Sequence, residues 1–171
     1  MNEGKILIFA HEDYEDKELW YPHLRLQEAG YDIDVAGPEA GKVYYGKHGL
    51  EVEADLSFDQ VNVDDYVGLV IPGGWAPDKL RQDADVLQIV KDADRKGLMI
   101  ASICHGGQVL VSADIVDGRK VTSYRAVKDD LEFAGANWVD EAVVVDGNLV
   151  SSRVPDDLPQ FLPAMLEVLE G

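Results

Sequence analysis

The chain has 171 residues, 46% of them hydrophobic, and this length suits one domain with one substantial core rather than two independent domains. Its 33 acidic and 15 basic residues give a formal net charge of −18, which argues against nucleic acids and anionic membranes as partners, because most of the surface would repel them. The acidic excess is consistent both with simple solubility and with adaptation to high salt.

A single cysteine excludes an intramolecular disulfide or a paired-cysteine metal site, and it indicates a reducing compartment, for which the cytoplasm is the expectation. The first apolar run is short and is followed by acidic residues, so we interpret it as a strand rather than a signal peptide. No apolar stretch approaches the roughly 20 residues needed to cross a bilayer. The sequence therefore predicts a soluble, cytoplasmic protein.

Short runs rich in valine, isoleucine and leucine alternate with longer amphipathic segments, a pattern typical of βαβ units around a mainly parallel sheet. Central strands are predicted over residues 5–10, 32–36, 66–71 and 98–103. Helices are predicted over residues 17–29, 86–96, 105–113, 127–134 and 158–169, with Pro22 either delaying or kinking the first. Period-two patterns predict hairpins, as an edge or an accessory sheet, over residues 42–55 and 142–152. We therefore expect residues 1–171 to form a single α/β domain.

Cys104 directly follows the fourth predicted strand and precedes glycines that open a helix. Ser102 and Gly106 flank it at the spacing of a nucleophile elbow, where larger neighbours would collide with a strained turn. The positive end of the following helix is expected to lower the pKa of the thiol, and His105 is the adjacent candidate base. The competing interpretation is an inert buried cysteine, and the spacing alone does not decide between the two.

Two loops at the carboxyl ends of predicted strands supply further candidates, because open α/β sheets bind ligands at that edge. Gly73 and Gly74 follow the third strand, and their amides are candidates for an oxyanion hole together with the amide after Cys104. Trp75 is grouped with them as a substrate-binding candidate. A plain glycine turn is the alternative interpretation of this segment.

The acidic loop 11–16 follows the first strand, and one of its carboxyl groups is a candidate proton donor or carrier at the thiol. The residues themselves do not identify which carboxyl this is. A divalent cation held by His11 and the carboxylates is possible, but no ligand spacing is distinctive and a solvated loop is the simpler interpretation. No motif calls for a metal or an organic cofactor.

Taken together, the motifs resemble the PfpI family of the ThiJ/PfpI superfamily, in the segments 14–16, 72–77, 101–106, 120–130, 144–148 and 151–153. The similarity runs over essentially the whole chain. It implies a flavodoxin-like sandwich with helices on both faces of the sheet, and self-association as a dimer or hexamer. It also implies that Glu15 is the carboxyl that hydrogen-bonds the nucleophilic Cys104.

The resemblance further suggests an intersubunit Cys104–His105–Asp78 triad, because Asp78 stands where hexameric members carry a glutamate that reaches the histidine of a neighbouring subunit. The aspartate side chain is one methylene shorter. Gly107 stands where many relatives have proline, which is expected to loosen the first helical turn. Residues 125–126 replace a Pro-Gly-like pair, so the pocket rim is expected to differ.

Three functions follow from the resemblance. The first is a glyoxalase or deglycase acting on reactive carbonyls or glycated adducts, which needs a thiol, a proton shuttle and a small pocket. The second is an intracellular cysteine peptidase with a peptide substrate, and the third is a redox sensor or stress-response chaperone without turnover. A carboxyl beside the sulfur favours the first, because one group can both give and take the proton.

Overall fold

The computed structural model describes residues 3–171, in which strands and helices alternate as the sequence predicts. The strands are β1 Lys5–Phe9, β2 Asp32–Gly37, β3 Val43–Tyr45, β4 Glu51–Glu53, β5 Leu56–Ser57, β6 Gly68–Ile71, β7 Met99–Ile103, β8 Lys120–Val121, β9 Asn137–Trp138, β10 Val143–Asp146 and β11 Leu149–Ser152. The helices are α1 Asp16–Glu28, α2 Ala76–Leu80, α3 Ala84–Arg95, α4 Gly107–Ser112, α5 Lys128–Phe133 and α6 Leu158–Glu170.

A seven-stranded sheet forms the centre of the fold, in the order β10-β11-β7-β6-β1-β2-β5. Every neighbouring pair is parallel except β10 and β11, which form a hairpin at one edge. Helices α1 and α6 pack against each other and one face, and α3 and α4 cover the other. Because both faces are covered, β6 and β7 are buried along their whole length, which explains their continuous apolar sequences. The fold is the predicted flavodoxin-like α/β sandwich.

Most predicted elements are confirmed with small shifts of their ends. The four predicted central strands are β1, β2, β6 and β7, and the two predicted hairpins are the accessory pair β3–β4 and the edge pair β10–β11. Helix α1 does not start late: it begins at Asp16 and continues through Pro22, which is buried inside it. The segment after the fourth strand differs more, because residues Cys104–Gly106 form a 3-10 turn and α4 begins only at Gly107.

None of the helices within residues 3–171 combines the length and the apolar character that a membrane span requires.

Candidate active site

Cys104 sits on a strained elbow between β7 and the 3-10 turn, with φ +62°. This left-handed conformation is rare for residues with a side chain, and its cost persists only where the surroundings enforce it. A Cβ at Gly106 would lie 2.8 Å from the Ile71 carbonyl oxygen and 2.8 Å from Ser102 Oγ, so only glycine fits there. The small residues that flank the cysteine in sequence are thus explained by contact, and the elbow prediction is confirmed.

Two backbone amides point at the sulfur of Cys104, those of Gly74 and His105. Gly74 is held in a left-handed conformation, φ +80°, and a Cβ there would lie 2.6 Å from the Asp13 carbonyl oxygen. The Trp75 amide donates to that carbonyl at 2.9 Å. The loop after β6 is therefore locked onto the loop after β1, and Gly74 has the position expected of an oxyanion-hole donor.

The carboxyl group at the thiol belongs to Glu18, which corrects the expectation that Glu15 lies there. Glu18 is fully buried at the start of α1, lies beside Cys104 in the same cavity and accepts the Gly73 amide on Oε1 at 2.9 Å. The Gly73 amide is thereby directed at this carboxyl rather than at a substrate oxygen.

Glu15 instead caps α1. Its Oε2 accepts the amides of Lys17 at 2.8 Å and of Glu18 at 3.0 Å, as an N-cap side chain does. Its Oε1 lies 3.7 Å from His48 Nε2. Glu15 remains in the wall of the same cavity, but its main role is to start the helix that carries Glu18.

Burial sets the protonation of the two central groups. It raises the pKa of Glu18 to about 8, helped by the charge of Glu15, so the carboxyl is mostly protonated at neutral pH. Burial also raises the pKa of Cys104 to about 12, with the Glu18 carboxylate as the second cause and the two amides acting in the opposite direction. The predicted lowering of the thiol pKa is therefore wrong, because Cys104 is buried and is separated from α4 by the 3-10 turn.

His105 supplies a base next to this thiol. Its Nδ1 lies 3.3 Å from Cys104 Sγ, and burial lowers the pKa of the imidazole, with the charge of Lys47 acting in the same direction. The ring is neutral at pH 7 and can accept the S–H proton. It stacks on Tyr124 at 4.8 Å between ring centroids and approaches Trp75 at 5.9 Å, which fixes its orientation.

Asp78 is exposed on α2, and within residues 3–171 its carboxylate makes no hydrogen bond or ion pair. It does not contact His105 of its own chain. A triad that includes Asp78 requires a neighbouring subunit and stays a prediction.

A cavity of about 500 Å³ opens above the sulfur and joins these elements. Glu18, Cys104 and His105 form its reactive side, and its other lining residues are Glu15, Lys47, Gly74, Trp75, Tyr124, Ala126, Val154 and Pro155. Trp75 is 60% exposed and stands at the rim, as a substrate-binding residue would. The Tyr124 amide donates to the Cys104 carbonyl at 3.1 Å, which holds the segment of Tyr124 and Ala126 against the elbow.

No group of three or more His, Cys, Asp or Glu side chains within residues 3–171 is arranged to hold a metal ion. The chemistry available to the cavity from these residues is that of a thiol, a neutral imidazole, a protonated carboxyl and two amides directed at the sulfur.

Comparison with known proteins agrees with the fold. The model of the DJ-1/PfpI family matches residues 4–168. The deglycase PfpI of Pyrococcus furiosus is 45% identical over 166 residues, which cover 97% of this chain and 99% of that one. A Bacillus subtilis protein named "Putative cysteine protease YraA" is 40% identical over 166 residues, covering 97% and 98% of the two chains.

Among solved structures, a two-domain protein from Anabaena variabilis, with DJ-1/ThiJ/PfpI-like and ferritin-like domains, superimposes with a TM-score of 0.96 at 38% identity. The match covers 98% of this chain and 48% of that longer one. With the family match over nearly its full length, this chain belongs to the DJ-1/PfpI family.

Proposed function

We propose that this protein is a cysteine-dependent enzyme that converts reactive dicarbonyls, or their adducts, into hydroxy acids. One observation carries the proposal: a buried thiol, a protonated carboxyl and a neutral imidazole converge on a single cavity at Cys104, Glu18 and His105. The names of relatives as deglycases support the same class of substrate.

The first step is addition of the thiol to an aldehyde. A C–S bond forms between Cys104 Sγ and the carbonyl carbon while the S–H proton passes to His105 Nδ1, which is 3.3 Å away. Glu18, protonated because burial raises its pKa to about 8, gives its proton to the developing oxyanion. The amide of Gly74 is placed to stabilise the same negative charge.

The second step moves a proton between neighbouring carbons. The Glu18 carboxylate takes the proton from the former aldehyde carbon and returns it to the adjacent ketone carbon. The ketone oxygen receives the proton that His105 holds, and the hydroxyl on the former aldehyde carbon gives its proton back to Glu18 as the thioester carbonyl forms. The aldehyde carbon is thereby oxidised by two electrons and the ketone carbon reduced by two, so no external oxidant is needed. The product is a thioester of Cys104, and water cleaves it to release the hydroxy acid and the thiol, with lactate as the product from methylglyoxal.

A redox sensor is less well supported. Oxidation by peroxide requires the thiolate, and burial raises the pKa of Cys104 to about 12. A neutral thiol beside a neutral base is a better fit to carbonyl addition, in which deprotonation and attack occur together.

Peptidase activity is the second candidate, because Asp78 is exposed on α2 and its carboxylate is unengaged within residues 3–171. A neighbouring subunit whose Asp78 reached His105 would complete a triad. The relative named as a cysteine protease supports this candidate.

The test gives the purified protein methylglyoxal and measures lactate. We expect turnover that falls at least about a hundredfold in Cys104→Ala and in Glu18→Ala, because each removes a reacting group. Glu132→Gln, which removes an exposed carboxylate on α5, is the matched control and should leave the rate unchanged.

Lactate release that persists in Cys104→Ala would exclude the proposed mechanism. Cleavage of unfolded casein that is lost in both Cys104→Ala and Asp78→Ala, without lactate formation, would instead establish the peptidase.

A further inference from the structure

Lys47 is held at the cavity by a rigid turn between β3 and β4. Its amide donates to the Tyr14 carbonyl at 2.9 Å. The buried carboxylate of Asp16 accepts the amides of His48 at 2.9 Å and Leu50 at 2.8 Å. Three hydrogen bonds to the loop and helix that carry the catalytic carboxyl therefore fix the backbone from which the lysine side chain extends.

The ammonium group of Lys47 has no partner of its own. Within residues 3–171 it makes no hydrogen bond or ion pair, although the chain has 33 acidic residues. Glu15 shares the cavity wall, but its carboxylate accepts two helix amides and faces His48. Lys47 is the only lysine or arginine among the described lining residues.

The charge of Lys47 nevertheless reaches the reactive groups. Lys47 lines the same cavity as Cys104, Glu18 and His105, and its charge is a smaller contribution that acts to lower the pKa of each, against the larger effect of burial on Cys104 and Glu18. With Glu18 protonated and His105 neutral at pH 7, the cation faces a reactive side that carries no charge of its own. A substrate that brings one negative charge meets an unpaired positive one.

The size of the cavity favours a substrate larger than a triose. About 500 Å³ falls within the roughly 300–1,000 Å³ typical of sites for drug-sized ligands. Apart from Lys47, Glu15 and the reactive groups, the walls are mainly aromatic and apolar, with Trp75, Tyr124 and Val154 among them. Such a site suits a carbon chain with an aldehyde at one end and an anion at the other.

We propose that Lys47 is a specificity residue and that the preferred substrates are α-oxoaldehydes, or adducts of them, that carry a carboxylate. The inference rests on the proposed function and refines it. The aldehyde carbon would meet Cys104 Sγ while the distant carboxylate pairs with the Lys47 ammonium. The chemistry is unchanged: 4,5-dioxopentanoate would give 2-hydroxyglutarate by the same internal proton transfer and hydrolysis of the thioester.

The test compares kcat/KM for 4,5-dioxopentanoate with that for 2-oxopentanal, which has the same chain length and no charge. We expect the wild-type protein to prefer the anionic substrate about tenfold or more, as one charge-assisted hydrogen bond allows. Lys47→Met should remove this preference and Lys47→Arg should keep most of it. The ratio is the readout, because loss of Lys47 also changes the pKa values of the reactive groups and so affects both substrates. Lys91→Met, which removes a lysine outside this cavity, is the control and should leave the ratio unchanged.

A ratio that is the same in the wild-type protein and in Lys47→Met would overturn the inference while leaving the proposed function intact. If neither aldehyde is turned over, the proposed function fails, and binding decides the inference separately. Calorimetry with glutarate should then show about tenfold tighter binding to Cys104→Ala than to the double variant Cys104→Ala/Lys47→Met. Equal affinities would refute a carboxylate subsite.

Discussion

Two polar clusters in this molecule differ in how completely their groups are paired. Arg119 donates to Asp94 Oδ1 at 2.9 Å and to Asn148 Oδ1 at 2.7 Å, and Asn148 donates in turn to the Leu98 carbonyl at 2.8 Å. Around Cys104, by contrast, the buried Glu18 Oε2 has no hydrogen-bond partner within residues 3–171. The first cluster ties strand ends together, whereas the second keeps groups available for reaction.

The contrast has a physical basis. Removing one partner of a buried, fully paired charge lowers stability, because the other charge is then left buried without a partner. A buried carboxyl with an unfilled oxygen instead resists ionisation, and its proton becomes available to a substrate. Substitutions in the Arg119 cluster should therefore change mainly stability, and substitutions around Cys104 should change mainly activity.

The largest expected effect is on activity, in His105→Ala. Removal of the base at 3.3 Å from the sulfur leaves a thiol of pKa about 12 without a proton acceptor, so kcat for methylglyoxal should fall by about 10²- to 10⁴-fold. Thermal unfolding should change little, since the ring is only half-buried. Tyr124→Phe keeps the stacked ring and is the control. A loss smaller than threefold in His105→Ala would show that another group takes the S–H proton.

In the paired cluster the expected effect is on stability. Arg119→Met leaves the half-buried Asp94 carboxylate without its cation and should lower the free energy of unfolding in urea by about 2 kcal/mol, between the values for buried and exposed pairs. Turnover per folded molecule should not change. Lys120→Met, which removes an exposed lysine 3.8 Å from Glu141, should cost about 0.5 kcal/mol or less. Equal losses of unfolding free energy in Arg119→Met and Lys120→Met would mean that partial burial does not strengthen the Arg119 ion pair.

Glu18→Gln should reveal the cost of the unpaired carboxyl through its pH dependence. The pKa of Glu18 rises from 4.5 to about 8 on folding, so between these values the unfolded chain has released a proton that the folded chain retains. Stability is therefore lost as the pH rises from about 4.5 to 8, and glutamine, which mimics the protonated form, avoids this loss. The full shift corresponds to roughly 4 kcal/mol at pH 8, and we expect Glu18→Gln to gain at least about half of this relative to the wild type at pH 8 compared with pH 4. A difference that is independent of pH would place the Glu18 pKa near its ordinary value.

The same variant tests the chemistry. Wild-type turnover should fall at low pH, as His105 becomes charged at a pKa below 6.5, and again near pH 8, as Glu18 loses its proton. The turnover that remains in Glu18→Gln should not decrease near pH 8, because glutamine has no proton to lose there. If that fall persists, it belongs to another group.

The elements and the elbow could be predicted from local sequence because each depends on short-range rules. The runs that form β1, β6 and β7 are apolar because both faces of the sheet are covered, and Gly106 is small because Ile71 and Ser102 leave no space. Helix α2 was not predicted, since its five residues give no periodic signal.

The sequence points to Glu15 rather than Glu18 as the carboxyl beside the thiol because the two residues differ mainly in their position relative to the buried face of α1. Glu15 precedes the helix and turns back to its first amides, while Glu18 lies on the buried stripe with Pro22 and Leu26. The sequence does contain a signal for Glu18: it lies four positions before Pro22 and eight before Leu26, so all three share one face of the helix. The thiol pKa was misjudged for a related reason, because burial at the elbow outweighs a helix end that begins three residues later.

The smallest expected effect concerns the turn that holds Lys47. Asp16→Asn keeps one acceptor for the amides of His48 and Leu50 but places an NH₂ group against the other, at a cost of about 1 kcal/mol because water can reach the exposed turn. Glu51→Gln, an exposed change on β4, is the control. The informative readout is the preference for 4,5-dioxopentanoate over 2-oxopentanal, which should weaken because Lys47 is no longer held in place. An unchanged preference would mean that the lysine side chain finds the carboxylate without a fixed backbone, and that the buried Asp16 carboxylate serves the fold alone.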